Sequence, residues 1–376
     1  MSDKPKILYF VTEDWYFCSH RLTLAKAAQQ AGFDVSVLTR VNQHADLILK
    51  EGMQLIPLDV RRGGINPLYE LWTLWQISRI YREIKPTIVH HVALKPVLYG
   101  SIVALTMPSL KVVNLLAGLG AVFSSDKLKA RVLRPLVKAL LGRLLRRPNT
   151  CSITQNNEDF AVLLNQLQIP AMALKLIKGS GVDTEKFSVL PAPQEPITLA
   201  LVSRLLWDKG IGEYIAAVKY LKQKGHHFEA VLVGKPDTEN IASVNSEQLQ
   251  AWHQEGLIRC LGHVENIADF WRNAHIAVLP SYYGEGVPKC LIEAAACSRP
   301  IVTTNTAGCN EIVGEGINGF LVPVRDSHAL AEALEKLILD EQLRQKMGAA
   351  GRRKVEQEFS DAIVLKQTLD IYQELL

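Results

Sequence analysis

Short apolar runs alternate along this chain with longer stretches in which apolar residues recur every three or four positions, a pattern that predicts strands joined by helices. In the first half, KILYFVT (6–12), FDVSVLTR (33–40) and MQLIPLDV (53–60) read as strands, with RLTLAKAAQQAG (21–32) and a polar segment as the helices between them. LYELWTLWQISRIYREIK (68–85) is an amphipathic helix, PTIVHHV (86–92) a strand, PVLYGSIVALTM (96–107) a helix and KVVNLLA (111–117) another strand. Such alternation pairs strands in parallel through crossovers. The half is predicted to be a doubly wound sheet with ligand sites beyond the carboxyl ends of its strands.

The pattern lapses in GSGVDTEKFSVLPAPQEP (179–196), which is rich in Gly and Pro and poor in apolar residues, as a domain linker would be. It then resumes: ITLALVSRLLWDKGIGEYIAAVKYL is strand, loop and helix, EAVLVG a strand, and residues 237–256 a polar stretch of weak pattern. A strand ending at Leu279, another at IVTTN, one long charged helix from about Ser327 to Glu358 and a last helix from Asp361 to Leu376 complete it. The predicted organisation is an N-terminal domain over 1–182, a C-terminal domain over 183–360 and a terminal helix over 361–376. At 376 residues, 48% hydrophobic and 21% charged, the chain is long enough for two cores and too apolar for disorder.

Charge placement says more than the net +4. Residues 127–147, KLKARVLRPLVKALLGRLLRR, hold eight basic side chains, no acidic ones and a broad leucine and valine stripe. A core-packed helix with a solvated basic face explains this, but the stripe also suits peripheral contact with an anionic membrane surface, which we expect. No aromatics interleave the basic run, so nucleic acid is not expected. The six cysteines form no CxxC pair and no metal-ligand spacing with His, as in reduced thiols of a cytoplasmic protein. The apolar run from Ile7 to Val11 ends at Glu13 and Asp14 and reads as a first strand, not a signal peptide; no run is long enough to span a bilayer.

The richest chemistry lies in AVLPSYYGEGVPKCLIEAAACSRP (277–300). A strand is cut off by Pro280, a loop follows, and a helix restarts around Pro288, whose missing amide costs nothing in a first turn. The amides of Gly286, Val287 and Lys289, around Pro288, would then favour an anion such as phosphate. Glu285 and Glu293 bracket them. Ionised carboxylates only accept hydrogen bonds, so their natural partners are the hydroxyls of a ribose and a sugar. The stretch reads as a nucleotide-sugar cradle, against the plainer reading of a capped surface helix. Arg204 and Lys209, five residues apart after the first strand of the second half, can grip one bound anion.

Glu, seven residues, Glu, in the form EGVPKCLIE, resembles the signature of the retaining glycosyltransferases of family 4, which have the GT-B fold: two Rossmann-like α/β domains facing across a cleft. SRLLWDKG resembles the motif whose Arg and Lys hold the donor diphosphate. GHVENI resembles the segment lining the nucleobase, near Val264 and Ile267; GVDTEKF and AGCNEIVGEGINGFLVPVRD also fit, so the resemblance covers nearly the whole chain. It implies transfer of a glycosyl unit with retention, the leaving phosphate serving as base, Glu285 positioning the donor sugar, and Glu293 the ribose. No Asp-x-Asp occurs, so no metal or other cofactor is expected.

One departure concerns the acceptor side: where many members carry a His after the strand KVVNLL, this chain has Ala117, Gly118 and Leu119. His20 or Asp14 would substitute, with His90 and His91 as further candidates. A first loop ending in His20-Arg21-Leu22, a Lys95–Gly100 helix start and a Gly118-Leu119-Gly120 loop resemble the subset that extends polyprenyl-diphosphate-linked sugars for bacterial surface polysaccharides or glycans. That implies a UDP-linked hexose or N-acetylhexosamine as donor, a lipid-linked saccharide acceptor met by Arg21, Lys95, Gly118 and Gly120, and work on the inner face of the cytoplasmic membrane. A GT-B sugar-nucleotide epimerase and a non-catalytic membrane scaffold are the competing readings.

Overall fold

The structure, a computed structural model, describes residues 4–60, 66–119, 128–189, 191, 193–237 and 239–376, with side chains from Arg134 onward in the helix that begins at Leu128. Two compact units emerge, one of Met1–Ser180 with Ala362–Leu376 and one of Gly181–Asp361.

The first unit runs β1 (Lys6–Glu13), α1 (Asp14–His20), α2 (Leu22–Gln30), β2 (Asp34–Arg40), α3 (Ala45–Lys50), β3 (Gln54–Pro57), α4 (Pro67–Ile84), β4 (Ile88–Val92), α5 (Leu94–Ala104), β5 (Lys111–Leu116), α6 (Leu128–Leu145), β6 (Thr150–Thr154), α7 (Asn157–Ala161) and β7 (Leu174–Leu176). Its seven strands lie in the order β3-β2-β1-β4-β5-β6-β7, each neighbouring pair parallel. Helix boundaries follow local chemistry. Asn66 caps α4 by accepting from the amides of Leu68 (3.1 Å) and Tyr69 (3.4 Å), with Pro67 at the first helical position. At the other end Lys85 takes a left-handed conformation ahead of Pro86, which cannot continue a helix.

One sheet face is covered by α4 and α5 through Leu8, Phe10, Ile77, Tyr81, Val89 and Val103, and by α5 and α6 through Val97, Leu116, Leu141 and Leu145. The other face takes α2 and the terminal helix through Tyr9, Leu24, Val37, Val364 and Tyr372. Both faces also enclose polar groups. His90 Nδ1 lies 2.5 Å from the Tyr372 hydroxyl, which meets Tyr9 Oη at 3.0 Å. On the opposite face His91 Nδ1 donates to Asn114 Oδ1 (2.7 Å), leaving Nε2 to accept from Tyr81 (2.8 Å).

The second unit runs β8 (Thr198–Val202), α8 (Ile211–Gln223), β9 (Glu229–Val233), α9 (Ser246–Gln254), β10 (Arg259–Gly262), α10 (Ile267–Arg272), β11 (Ile276–Leu279), α11 (Lys289–Ala296), β12 (Ile301–Thr304), α12 (Cys309–Ile312), β13 (Gly319–Val322), α13 (Ser327–Leu339) and α14 (Glu341–Glu358), followed by α15 (Asp361–Leu375). Its parallel strands lie in the order β10-β9-β8-β11-β12-β13. Two such doubly wound sheets are the GT-B fold.

Four expectations change. The single helix over 327–358 is two, because Asp340 adopts an extended conformation and its carboxylate accepts from the Leu343 amide (2.8 Å) to start a new helix. Arg344 fastens the break by donating to the carbonyls of Leu337 (2.7 Å) and Ile338 (3.0 Å). The weakly patterned 237–256 holds α9, capped by Asn245. Residues 148–178, for which the pattern predicted no element, supply β6, α7 and β7. The stripe on the basic helix divides, Leu141, Leu144 and Leu145 entering the core while Leu136 and Leu140 stay exposed.

His91 depends on Gly100: a Cβ there would lie 2.1 Å from His91 Nε2. Gly100→Ala should therefore displace the imidazole from Tyr81 and cost about 1–3 kcal/mol, read as a lower urea midpoint; an unchanged midpoint would mean that the ring has room to move.

Candidate functional site

The six-stranded sheet reverses direction of winding between β8 and β11, and ligands of doubly wound sheets bind where strand order reverses, outside the carboxyl ends. The loops leaving those two strands carry Arg204, Lys209 and Glu285. Lys209 Nζ meets Glu285 Oε2 at 2.5 Å, both side chains mostly shielded from solvent, so this pair ties the loop after β8 to the loop after β11. The other carboxylate oxygen, Glu285 Oε1, accepts from the buried Ser281 hydroxyl at 2.9 Å. Glu285 is thereby held at both oxygens. Arg204 Nη1 pairs with Asp237 Oδ2 at 2.9 Å, on the loop after β9.

Backbone approach makes these pairs possible. Gly210 has a positive φ of 73°, and a Cβ there would fall 2.1 Å from the Pro280 carbonyl oxygen. Gly308, at φ +84°, would bring one to 1.7 Å from the carbonyl of Gly286. Only glycine allows loops after β8, β11 and β12 to meet so closely. The Tyr282 amide donates to the Asp208 carbonyl (3.2 Å), the Glu285 amide to that of Ala307 (3.1 Å), and the Thr304 hydroxyl to that of Ser281.

Gly286, Val287 and Pro288 are buried at the start of α11. Pro288 sits one residue before the helix, in extended conformation as its N-cap, rather than inside the first turn. Glu293 lies in the second turn of α11 and is buried. Burial pushes its carboxyl up to about 7 against the partial pull of the Lys289 and Lys186 ammonium groups and the Trp271 indole. Val264 and Ile267 are half-buried where β10 passes into α10, whose N-cap, Asn266, accepts from the Asp269 amide.

In the first unit strand order reverses between β1 and β4, and the sequence-predicted acceptor residues follow β1, β4 and the neighbouring β5. His20 ends α1, its ring stacked on Tyr16 (centroids 4.2 Å, 5°) and its Nδ1 2.6 Å from the Ser19 hydroxyl. Asp14 is fully buried. Burial would raise its pKa, but the amides of His44 (3.0 Å), Asn42 (2.6 Å) and Trp15 (2.7 Å) donate to its carboxylate and hold it below the usual range. That geometry makes Asp14 a clamp on the loop after β2, not a base facing an acceptor. Lys95 is paired with Glu70 at 3.3 Å and lies over the Tyr99 ring. Arg21 is buried near Tyr9, His90 and Tyr372, and among the described residues its Nε and Nη2 have no hydrogen-bond partner.

His90 and His91 are corrected: both are buried within the sheet's polar networks, and burial holds His90 well below its ordinary pKa and His91 at about 4, so neither serves an acceptor. Gly118 has a positive φ of 93°, and the next amide, Leu119, donates to Asp159 Oδ2 (3.2 Å). Gly120 and Lys127 lie outside the described residues. Sequence reasoning missed Ser281, Asp237 and Asp159. Only Ser281, beside Pro280 at a strand end, carried a local signal. Among the described residues no cluster of three His, Cys, Asp or Glu is placed to hold a metal ion, and no helix is long and apolar enough to cross a membrane.

Residues 182–354 match the family model of group 1 glycosyl transferases, and residues 6–149 match a glycosyl transferase 4-like model. The chain belongs to the family 4 type of GT-B glycosyltransferases. This glycosyltransferase is 24% identical over 370 residues to the N,N'-diacetylbacillosaminyl-diphospho-undecaprenol alpha-1,3-N-acetylgalactosaminyltransferase of Campylobacter jejuni, covering 95% of each chain. It is 24% identical over 385 residues to the capsular polysaccharide biosynthesis glycosyltransferase CapM of Staphylococcus aureus, covering 95% of this chain and 97% of that one. Among solved structures it resembles Anabaena Alr3699/HepE in complex with UDP-glucose, with a TM-score of 0.76 at 18% identity over 98% of this chain and 99% of that chain. The fold is thus shared well beyond sequence identity.

Glu293 gives the site a pH signature. The folded glycosyltransferase holds this proton more tightly than the unfolded chain, so the associated stability is full below pH 4.5 and is lost as pH rises through about 7. The shift corresponds to roughly 3 kcal/mol. Glu293→Gln should flatten the decline in unfolding free energy between pH 5 and 8; an unaltered slope would place the titration elsewhere.

Proposed function

We propose that this glycosyltransferase moves a hexose or N-acetylhexosamine from a UDP-sugar, with retention of configuration, to a polyprenyl-diphosphate-linked saccharide in surface polysaccharide or glycan assembly. The observation that carries the reading is the Lys209–Glu285 pair, held where strand order reverses and beside the start of α11. A cation and a carboxylate fixed against each other suit a donor whose diphosphate needs positive charge and whose sugar offers hydroxyl donors. The Campylobacter relative's name specifies a diphospho-undecaprenol acceptor, the Staphylococcus relative's name specifies capsular polysaccharide, and HepE was solved with UDP-glucose.

Departure of the nucleoside diphosphate is the costly event. Arg204, Lys209 and the amides around Gly286 would stabilise the charge that develops on it, with a leaving phosphate oxygen taking the acceptor's proton. Glu285 would accept from donor sugar hydroxyls. Glu293 would accept from the ribose, whose hydroxyls favour the ionised carboxylate that burial disfavours. Val264 and Ile267 would flank the base. With two cations present, no metal is required. On the acceptor side His20, Arg21, Lys95 and Gly118 follow β1, β4 and β5; Lys95 would exchange Glu70 for a phosphate, and α6 would meet the inner membrane surface through Lys138, Arg143 and Arg146.

Thermal stabilisation by UDP, GDP, ADP and CMP tests the donor site. Selective stabilisation by UDP, lost in Arg204→Ala and Glu293→Ala, is expected; no shift with any nucleotide would overturn the reading. Glu285→Ala should keep the UDP shift, since it frees Lys209 for phosphate, while transfer falls about 10²–10³-fold. Lys209→Ala should lose both. Interconversion of UDP-sugars without an acceptor would instead identify an epimerase, and function that survives Glu285→Ala would point to a scaffold.

A further inference from the structure

Helix α4 buries one side, and among the described residues nothing covers the other. Leu68 (78% exposed), Leu71 (63%), Trp72 (52%) and Trp75 (51%) follow the spacing i, i+3, i+4, i+7 and form one outward stripe. The two indoles stack, with centroids 4.6 Å apart and planes at 19°. Exposed apolar residues are ordinary one at a time, whereas four on one helical face mark an interaction surface.

Charge identifies the partner. Glu70 is the acidic residue in the first turn of α4, and it turns away from the stripe to engage Lys95 and the Tyr99 hydroxyl. Beyond Trp75 the same side continues to the exposed Arg82 and to Arg79, which is paired with Glu83 at 2.6 Å. Helices α4, α5 and α6 cover the same face of the seven-stranded sheet. The outward side of α6 carries the exposed Leu136 and Leu140 with Arg143 and Arg146, in a segment with no acidic residue. A protein partner would need an apolar groove ringed with acid. A bilayer supplies apolar depth and anionic headgroups together, and indoles favour the boundary between them.

We propose that α4 is a membrane anchor: Leu68, Leu71, Trp72 and Trp75 insert into the headgroup boundary of an anionic bilayer, alongside the basic outward side of α6. This rests on the lipid-linked acceptor reading and adds a second, apolar contact to the electrostatic one expected of residues 127–147.

The test is co-sedimentation of the full chain with phosphatidylcholine vesicles and with vesicles containing phosphatidylglycerol, for the native protein, Trp72→Ser/Trp75→Ser and Leu68→Ser/Leu71→Ser. Stabilisation by UDP is measured on each variant to establish intact folding and an intact donor site. The expected result is binding to anionic vesicles, a blue shift of tryptophan emission on binding, and a loss of binding of about tenfold in each double variant with the UDP response unchanged. Anionic-vesicle binding that survives both double variants would overturn the proposal. So would a vesicle-free dimer that the serine variants dissolve, since the stripe would then be a contact between copies. Absence of a UDP response in every protein would sink the donor reading while leaving the vesicle result to be read by itself.

Discussion

The second unit's site depends on how closely its strand-end loops can approach. Gly210 against Pro280, Gly234 against Ser203 and Gly308 against Gly286 are backbone-to-backbone contacts at which a Cβ would lie within 2.1 Å of a carbonyl oxygen, and each glycine has positive φ. Parallel strands deliver their loops to one edge, but side chains at those three positions would hold the loops apart. With glycine there, the loops after β8, β9, β11 and β12 are drawn together, so that Lys209 reaches Glu285 and Arg204 reaches Asp237. Each cation is thus held by a carboxylate from a different loop, so its position is set before any ligand binds.

Burial also sets the two carboxylates of this segment apart. Glu285 has an ammonium and a hydroxyl at its two oxygens, whereas Glu293, in the second turn of α11, is buried near Trp271. Two carboxylates eight positions apart thus differ in character because one stays at the loop edge and the other is carried inward by α11. The difference suits two kinds of hydroxyl partner.

The first unit invests its polar groups differently. Asp14, Asp159 and Asn156 hold loops by accepting from backbone amides, and His90, His91, Asn114, Tyr9, Tyr81 and Tyr372 form networks inside the sheet layers. Residues that look catalytic by type are here largely structural by position. Among the exposed residues are the Trp72–Trp75 pair and the arginines of α4 and α6, with His20 half-buried on Tyr16.

Alternating short apolar runs and 3.6-residue periodicity were sufficient to predict a doubly wound sheet in the first half, apart from β6 and β7, since each strand and helix advertises its own buried face locally; the second sheet was implied by the family resemblance. The Glu285–Glu293 spacing and the Arg204–Lys209 spacing were legible for the same reason: each pair lies within one loop and its helix. The break at Asp340 was not legible, because apolar periodicity runs past it and only the cap geometry stops the helix. Nor was the burial of His90, His91 and Asp14, whose partners Tyr372, Asn114 and Asn42 lie 282, 23 and 28 residues away in the chain. Local pattern determined the elements, their order and the chemistry carried at strand ends. Tertiary structure alone decided which charges pair, which carboxylate is buried and which helix face stays bare, because those outcomes depend on contacts between segments remote in sequence.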